Sequence, residues 1–212
     1  KFGSTYQFVA RYTTDIQLTE PRLGDEPTDP TDPTDPTHPT DPTTGSFLFA
    51  GGDFEDYAAF LAGINSYGIK TYAVQSAGTG IEGGTSLAII GTPTGNDYVF
   101  TATAISGLPT NATKITFYVK GNSAKSLSLN VYKTDGKYVV YNLGDLSNSA
   151  VTLASTDANQ YNGIIDTKGE WVLVTLYITG VDIQKTAGQN VFALKVGKDV
   201  AYDLVVDNIK ID

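Results

Sequence analysis

The stretch Gly51-Gly52-Asp53-Phe54-Glu55 sets two carboxylates on either side of one aromatic ring, and a third acid, Asp207, lies in the closing run Tyr202-Asp203-Leu204-Val205-Val206-Asp207-Asn208-Ile209-Lys210-Ile211. On a strand, side chains alternate between faces, so Phe54 is expected to enter a core while Asp53 and Glu55 point away from it. By the same alternation Asp207 shares a face with Val205 and Ile209. An isolated carboxylate there is very costly and calls for a partner or a metal. If the first and last strands lie side by side, Glu55 and Asp207 can share one Ca²⁺ through oxygen ligands. The alternative is that each acid is a solvated strand-end residue.

Other chemistries are excluded by composition. There is no Cys, and the one His is His38. Disulfides, thiolate-bound metals, histidine-rich metal sites and Ser-His or Cys-His catalysis are therefore ruled out within this chain. Formal net charge is -9, and no Lys/Arg cluster interrupts it, which argues against nucleic acid and anionic membrane surfaces as partners. An acidic surface suits divalent cations and neutral ligands. No apolar run approaches the roughly 20 residues of a membrane span, so direct membrane insertion is not expected. The lack of Met, even at position 1, reads as a mature fragment of a longer precursor, with any export signal or lipid anchor upstream of Lys1.

Glycosidase chemistry would need two carboxyls roughly 5–10 Å apart across a cleft. Asp145, Asp157, Asp166 and Glu170 are available, but no spacing singles out a pair, and the chain is read as non-catalytic. Asn111-Ala112-Thr113 matches a glycosylation sequon, a pattern common by chance.

Three regions position these residues. Residues 1–18 hold an orphan strand, Tyr6-Gln7-Phe8-Val9-Ala10-Arg11-Tyr12, which cannot fold alone and belongs to an upstream domain or to a pairing arm. Its phrase through Ile16 resembles the closing strand of small OB-like domains in multidomain bacterial surface proteins. Residues 19–45 are a linker in which a Pro-Thr-Asp repeat runs from Pro27 to about Thr43, with His38 replacing one Asp. Proline at every third position favours polyproline II and a semi-rigid spacer of roughly 50 Å. Successive Asp then sit roughly 9 Å apart, too far for two to chelate one ion directly.

Residues 46–212 read as one all-β domain. Asp56 can cap a short helix over Tyr57-Ala58-Ala59-Phe60-Leu61. Strands are expected over 71–75, 86–90, 98–104, 114–120, 126–133, 137–141, 171–178, 190–196 and 201–211, with Asp135-Gly136 as a hairpin turn. Many short strands joined by Gly, Asn and Thr turns point to a two-sheet β-sandwich or jelly roll. Alternation sends Ile115, Phe117, Val119, Leu127, Leu129, Val131, Val172, Val174, Leu176, Phe192, Leu194 and Val196 inward. It sends Tyr118, Asn130, Tyr132, Trp171 and Tyr177 the other way.

Four motifs occur in order: Gly-Asp-Phe-Glu, Gly-Gly-Thr-Ser-Leu-Ala-Ile, Gly-Glu-Trp-Val and Val-Asp-Asn-Ile. Over residues 46–212 this order resembles the calcium-bearing jelly-roll carbohydrate-binding modules with a galactose-binding-like fold. The resemblance implies a structural Ca²⁺ held by Glu55 and Asp207, with Asp53 as a further ligand and main-chain oxygens from near Gly84 and Thr85. It also implies a glycan partner. A sugar's apolar face stacks on aromatic rings while its hydroxyls bond polar side chains, so the expected platform is Tyr118, Asn130, Tyr132, Trp171 and Tyr177, with Tyr138 and Tyr141 as loop-proximal alternatives. Sugar-binding members usually present two or more exposed tryptophans, whereas this chain has only Trp171. The sequence is similar as well to C-terminal jelly rolls of secreted Gram-negative surface lipoproteins. That likeness implies a bacterial outer-membrane or extracellular location. It also keeps open a structural or adhesive role, docking onto outer-membrane proteins without sugar binding.

Overall fold

The computed structural model describes residues 45–212; the expected N-terminal strand and the Pro-Thr-Asp spacer through Thr44 lie outside the described residues. In chain order the strands are β1 (Ser46–Phe47), β2 (Ala73–Ala77), β3 (Thr85–Gly91), β4 (Asp97–Thr103), β5 (Lys114–Ser123), β6 (Leu127–Tyr132), β7 (Tyr138–Asn142), β8 (Val151–Leu153), β9 (Ile165–Asp166), β10 (Val172–Tyr177), β11 (Asn190–Val196) and β12 (Tyr202–Ile211). One helix, α1 (Tyr57–Ala62), lies between β1 and β2. The architecture is an all-β sandwich of two sheets.

The larger sheet runs β2-β3-β12-β5-β10-β8, with β1 beside β12 and β9 beside β5; the smaller runs β4-β11-β6-β7. Neighbours are antiparallel except β8 and β10. Ile115, Phe117 and Val119 on β5 and Leu127, Leu129 and Val131 on β6 are buried, as alternation requires. Phe117 of the larger sheet meets Phe192 of the smaller at 6.5 Å between ring centres, so the inner faces form one core. The Asp135-Gly136 turn closes the β6–β7 hairpin: Gly136 has φ +78° and Lys133 N–H donates to Lys137 O at 2.8 Å.

The first and last strands of the described domain pair, Ser46 with Ile211 and Phe47 with Lys210. Beyond β1 the chain stays beside β12, and Ile209 N–H donates to Gly52 O at 2.8 Å. Residues 51–55 are nevertheless a turn, not the expected strand. Gly51 has φ +63°, and a Cβ there would lie 2.6 Å from Asp56 O. Phe54 N–H closes the turn onto Gly51 O at 2.9 Å, with Phe54 itself at φ +59°. The unfavourable φ is offset by burial: the Phe54 ring sits edge-on to Phe60 at 5.0 Å, and Phe60 meets Phe100 at 5.1 Å and Phe49 at 6.1 Å. Each such ring stabilises by about 1.5–3 kcal/mol. Helix α1 presents Phe60 to this cluster and starts where expected, with Asp56 Oδ1 accepting from Ala59 N–H at 2.9 Å.

A second departure lies in β12. Its register with β5 slips between Asp207 and Lys210, and Asn208 adopts φ +51°, a conformation Asn tolerates better than most residues. Before the slip Leu204 and Val206 face the core; after it Ile209 and Ile211 do. Asp207 and Ile209 therefore do not share a face, contrary to strict alternation.

Candidate functional site

The acids expected at the two ends of the domain meet at one turn. Between β2 and β3 a short 3₁₀ turn spans Ile81–Gly83, with Glu82 at φ +57°. Asp207 Oδ2 accepts from Ile81 N–H at 2.8 Å, and Glu55 Oε1 accepts from Thr85 N–H at 2.6 Å. The second Asp207 oxygen accepts from Asn208 N–H at 2.7 Å. Asp53 stays local, its Oδ1 accepting from Glu55 N–H at 3.3 Å. A Cβ at position 84 would lie 2.0 Å from Glu55 Oε1, so the bare glycine leaves room for that carboxylate.

Asp207 is only 3% exposed. Burial pushes its carboxyl up to about 7, and the nearby charges of Glu55 and Asp53 push the same way against the two backbone N–H donors. No ion pair among the described residues reaches it. A buried carboxylate beside two further acids, without a cationic side chain, has the donor chemistry of a hard-cation site. Among the described residues, however, no three acidic or histidine side chains gather closely enough to form a ready cage. Thr85 presents its N–H to Glu55, and the Gly84 carbonyl already accepts from Gly80 N–H at 2.9 Å. The expected main-chain oxygens near Gly84 and Thr85 are thus partly engaged in holding the turn together.

The five platform residues do not form one surface, because the fold divides them between the two sheets. Tyr118, Trp171 and Tyr177 belong to β5, β10 and their approach on the larger sheet; Asn130 and Tyr132 belong to β6 on the smaller. Tyr118 and Asn130 are buried, Trp171 and Tyr132 half-buried, and Tyr177 exposed. Lys120 Nζ lies 4.9 Å above the Trp171 ring. Of the alternatives, Tyr141 is buried in the core with its hydroxyl donating to Tyr177 O at 2.9 Å, whereas Tyr138 lies beside Tyr132 at 5.6 Å. Asp145 Oδ1 accepts from Ile164 N–H at 2.7 Å, and Asp166 pairs with Lys168.

What the smaller sheet does assemble is a polar aromatic face. Tyr98 on β4 pairs with Lys195 on β11, whose Nζ lies 4.2 Å over the Tyr98 ring. Lys195 is buried, which pulls its ammonium below the usual range. Nζ donates to Asn159 Oδ1 at 2.8 Å, while Asn159 Nδ2 donates to Ser128 Oγ at 2.8 Å and Asn130 Oδ1 at 2.7 Å. Asn130 Nδ2 in turn donates to the Tyr98 hydroxyl at 3.3 Å. Burial pushes the Tyr132 hydroxyl up to about 12. Beside Tyr98 and Tyr132 opens a cleft of about 380 Å³.

Sequence reasoning missed Tyr98, Asn159 and Lys195. Lys195 was the legible one, a lone charge between Leu194 and Val196 in an apolar strand; Asn159 sits in a loop and carried no signal. Comparison with protein-family models and with curated proteins finds no match.

Proposed function

We propose that this is a non-catalytic glycan-binding module of a bacterial cell-surface or secreted protein, using the outer face of the smaller sheet. One observation carries this reading. Tyr98, Tyr132 and Tyr138 are grouped beside polar side chains fixed by the Asn159–Lys195 network. Rings that stack, seated on a polar network that fixes them in advance, are what an uncharged, hydroxyl-rich ligand needs, because little further ordering is spent on binding. The platform expected from the sequence is replaced in this reading by residues of one sheet, keeping Tyr132 on the surface and Asn130 buried beneath it.

A Ca²⁺ bound by Glu55 and Asp207, with Asp53 nearby, is part of the same proposal and fits the resemblance to calcium-bearing jelly-roll modules. Bound there, the ion would supply positive charge to a buried carboxylate and tie the ends of the domain to the 81–85 turn. The buried Asp207, which no ion pair among the described residues reaches, supports it.

Glycan-affinity electrophoresis across neutral plant, host and microbial polysaccharides tests the binding role. Retardation by at least one is expected; uniform migration across the set removes it.

A second reading, an adhesive domain docking onto an outer-membrane protein assembly, is favoured by a different surface. Val74 on the edge strand β2 and Ile90 on the neighbouring β3 are 48% and 58% exposed, and the unpaired edge of β2 invites contact. Co-purification in mild detergent tests it, and a solitary monomer counts against it.

A further inference from the structure

The cleft beside Tyr98 has a wall that lies outside the sheet. Residues 65–68 form a turn closed by Gly68 N–H to Asn65 O at 3.0 Å, with Gly68 at φ +69° and Asn65 Oδ1 accepting from Tyr67 N–H at 3.1 Å. The turn is stapled to the edge of β4 at both ends, by Asn65 N–H to Thr101 O at 2.9 Å and Lys70 N–H to Val99 O at 3.0 Å. On this anchored turn the Tyr67 ring lines the cleft and is 91% exposed. Such a ring adds nothing to the core and is free to stack on a ligand that enters the cleft.

The rest of the lining settles the charge of that ligand. Lys70 and Asp97 pair at 3.0 Å, and both remain partly exposed. Asp97 keeps acceptor capacity beyond its bonds to Lys70 and to Tyr98 N–H. The Asn65 and Asn190 amides touch only at 3.5 Å, which leaves donors and acceptors on both. Vicinal hydroxyls need a donor and an acceptor side by side. An anion would meet Asp97 on a chain of net charge -9, and a cation would meet Lys70. A volume of about 380 Å³ is at the small end of the roughly 300–1,000 Å³ typical of small-molecule pockets, enough for one or two sugar rings and not for a long chain.

Building on the glycan-binding reading, we infer that this cleft is a subsite for one or two neutral hexopyranose units, stacked by Tyr67 and Tyr132 and held at adjacent hydroxyls by Asp97, Lys70, Asn65 and Asn190. The test is calorimetric titration of the full chain with methyl glycosides and disaccharides of glucose, galactose and mannose, and with glucuronic- and galacturonic-acid disaccharides. It is run on wild type, Tyr67→Ala and Asp97→Asn, with melting curves confirming that each variant folds. A neutral sugar binds wild type, Tyr67→Ala weakens it about tenfold, the factor for loss of one stacked ring, and Asp97→Asn weakens it comparably. Binding that neither variant weakens overturns the subsite while leaving the glycan reading intact. Tighter binding of uronic acids than of neutral sugars overturns the assigned class. No binding by wild type to any member overturns the glycan reading beneath it.

Discussion

Glu55 and Asp207, from opposite ends of the folded domain, grip the two ends of one turn: Glu55 accepts the Thr85 N–H at 2.6 Å and Asp207 the Ile81 N–H at 2.8 Å. The contact ties the segment after β1, the turn before β3 and the bulge of β12 into one structural unit. It also concentrates negative charge around a side chain that is 3% exposed.

Calcium is expected to raise the thermal midpoint. A ligand that binds only the folded state at a hundred times its dissociation constant adds about 2.7 kcal/mol, roughly 5–10 °C for a domain of this size. Differential scanning fluorimetry in chelator and in millimolar Ca²⁺ checks this, with Asp207→Asn expected to remove the shift. No shift in the wild type removes the metal assignment.

In chelator, stability is expected to decline with rising pH. Asp207 has a folded pKa raised from 3.8 to about 7. Below the unfolded value both states carry the proton and nothing is lost. Between the two values the unfolded chain ionises first, and stability falls by up to about 4 kcal/mol before levelling above pH 7. Urea midpoints from pH 4 to 8 should show the fall in wild type and a flatter curve in Asp207→Asn.

Gly84→Ala should displace Glu55. The added Cβ would lie 2.0 Å from Oε1, so the Thr85 N–H loses its acceptor, at a cost of about 1–3 kcal/mol. Chemical denaturation measures the loss, and any calcium response should weaken with it.

Asn159→Ala should destabilise by about 1–3 kcal/mol although it sits in a loop, because Lys195, Ser128 and Asn130 each lose a partner. Hydrogen exchange should increase at Ser128 and Asn130, and glycan retardation should fall. A change confined to residues 155–163 would detach the loop from the face.

The two sheets carry different aromatic sets, so their substitutions should behave differently. Tyr132→Ala should lower glycan retardation severalfold, whereas Trp171→Ala and Tyr177→Ala on the larger sheet should leave it unchanged. The reverse pattern on affinity gels would move the site to the larger sheet.

Much of the architecture was legible locally. Nine strands follow from alternation and turn residues, and Asp56 marked the helix start because capping depends on residues three apart. The two-residue strands β1 and β9 and the three-residue β8 were not legible, since so short a run has no measurable period and exists only because a neighbour supplies the pairing. The burial of Phe54 follows from its hydrophobicity, but not from a strand: its positive φ belongs to the Gly51 turn that seats the ring against Phe60.

Local chemistry determined that this chain is an all-β sandwich with acids at both ends of the domain and no thiol. Only the tertiary structure decided which tyrosines share a face, because alternation assigns a side chain to one side of its strand and says nothing about which sheet that strand joins. It alone also placed Asn208 in a bulge, burying Ile209 in the core and leaving Asp207 beneath the 81–85 turn. A one-residue slip reverses every face beyond it, and pairing with β5 decides where that slip occurs.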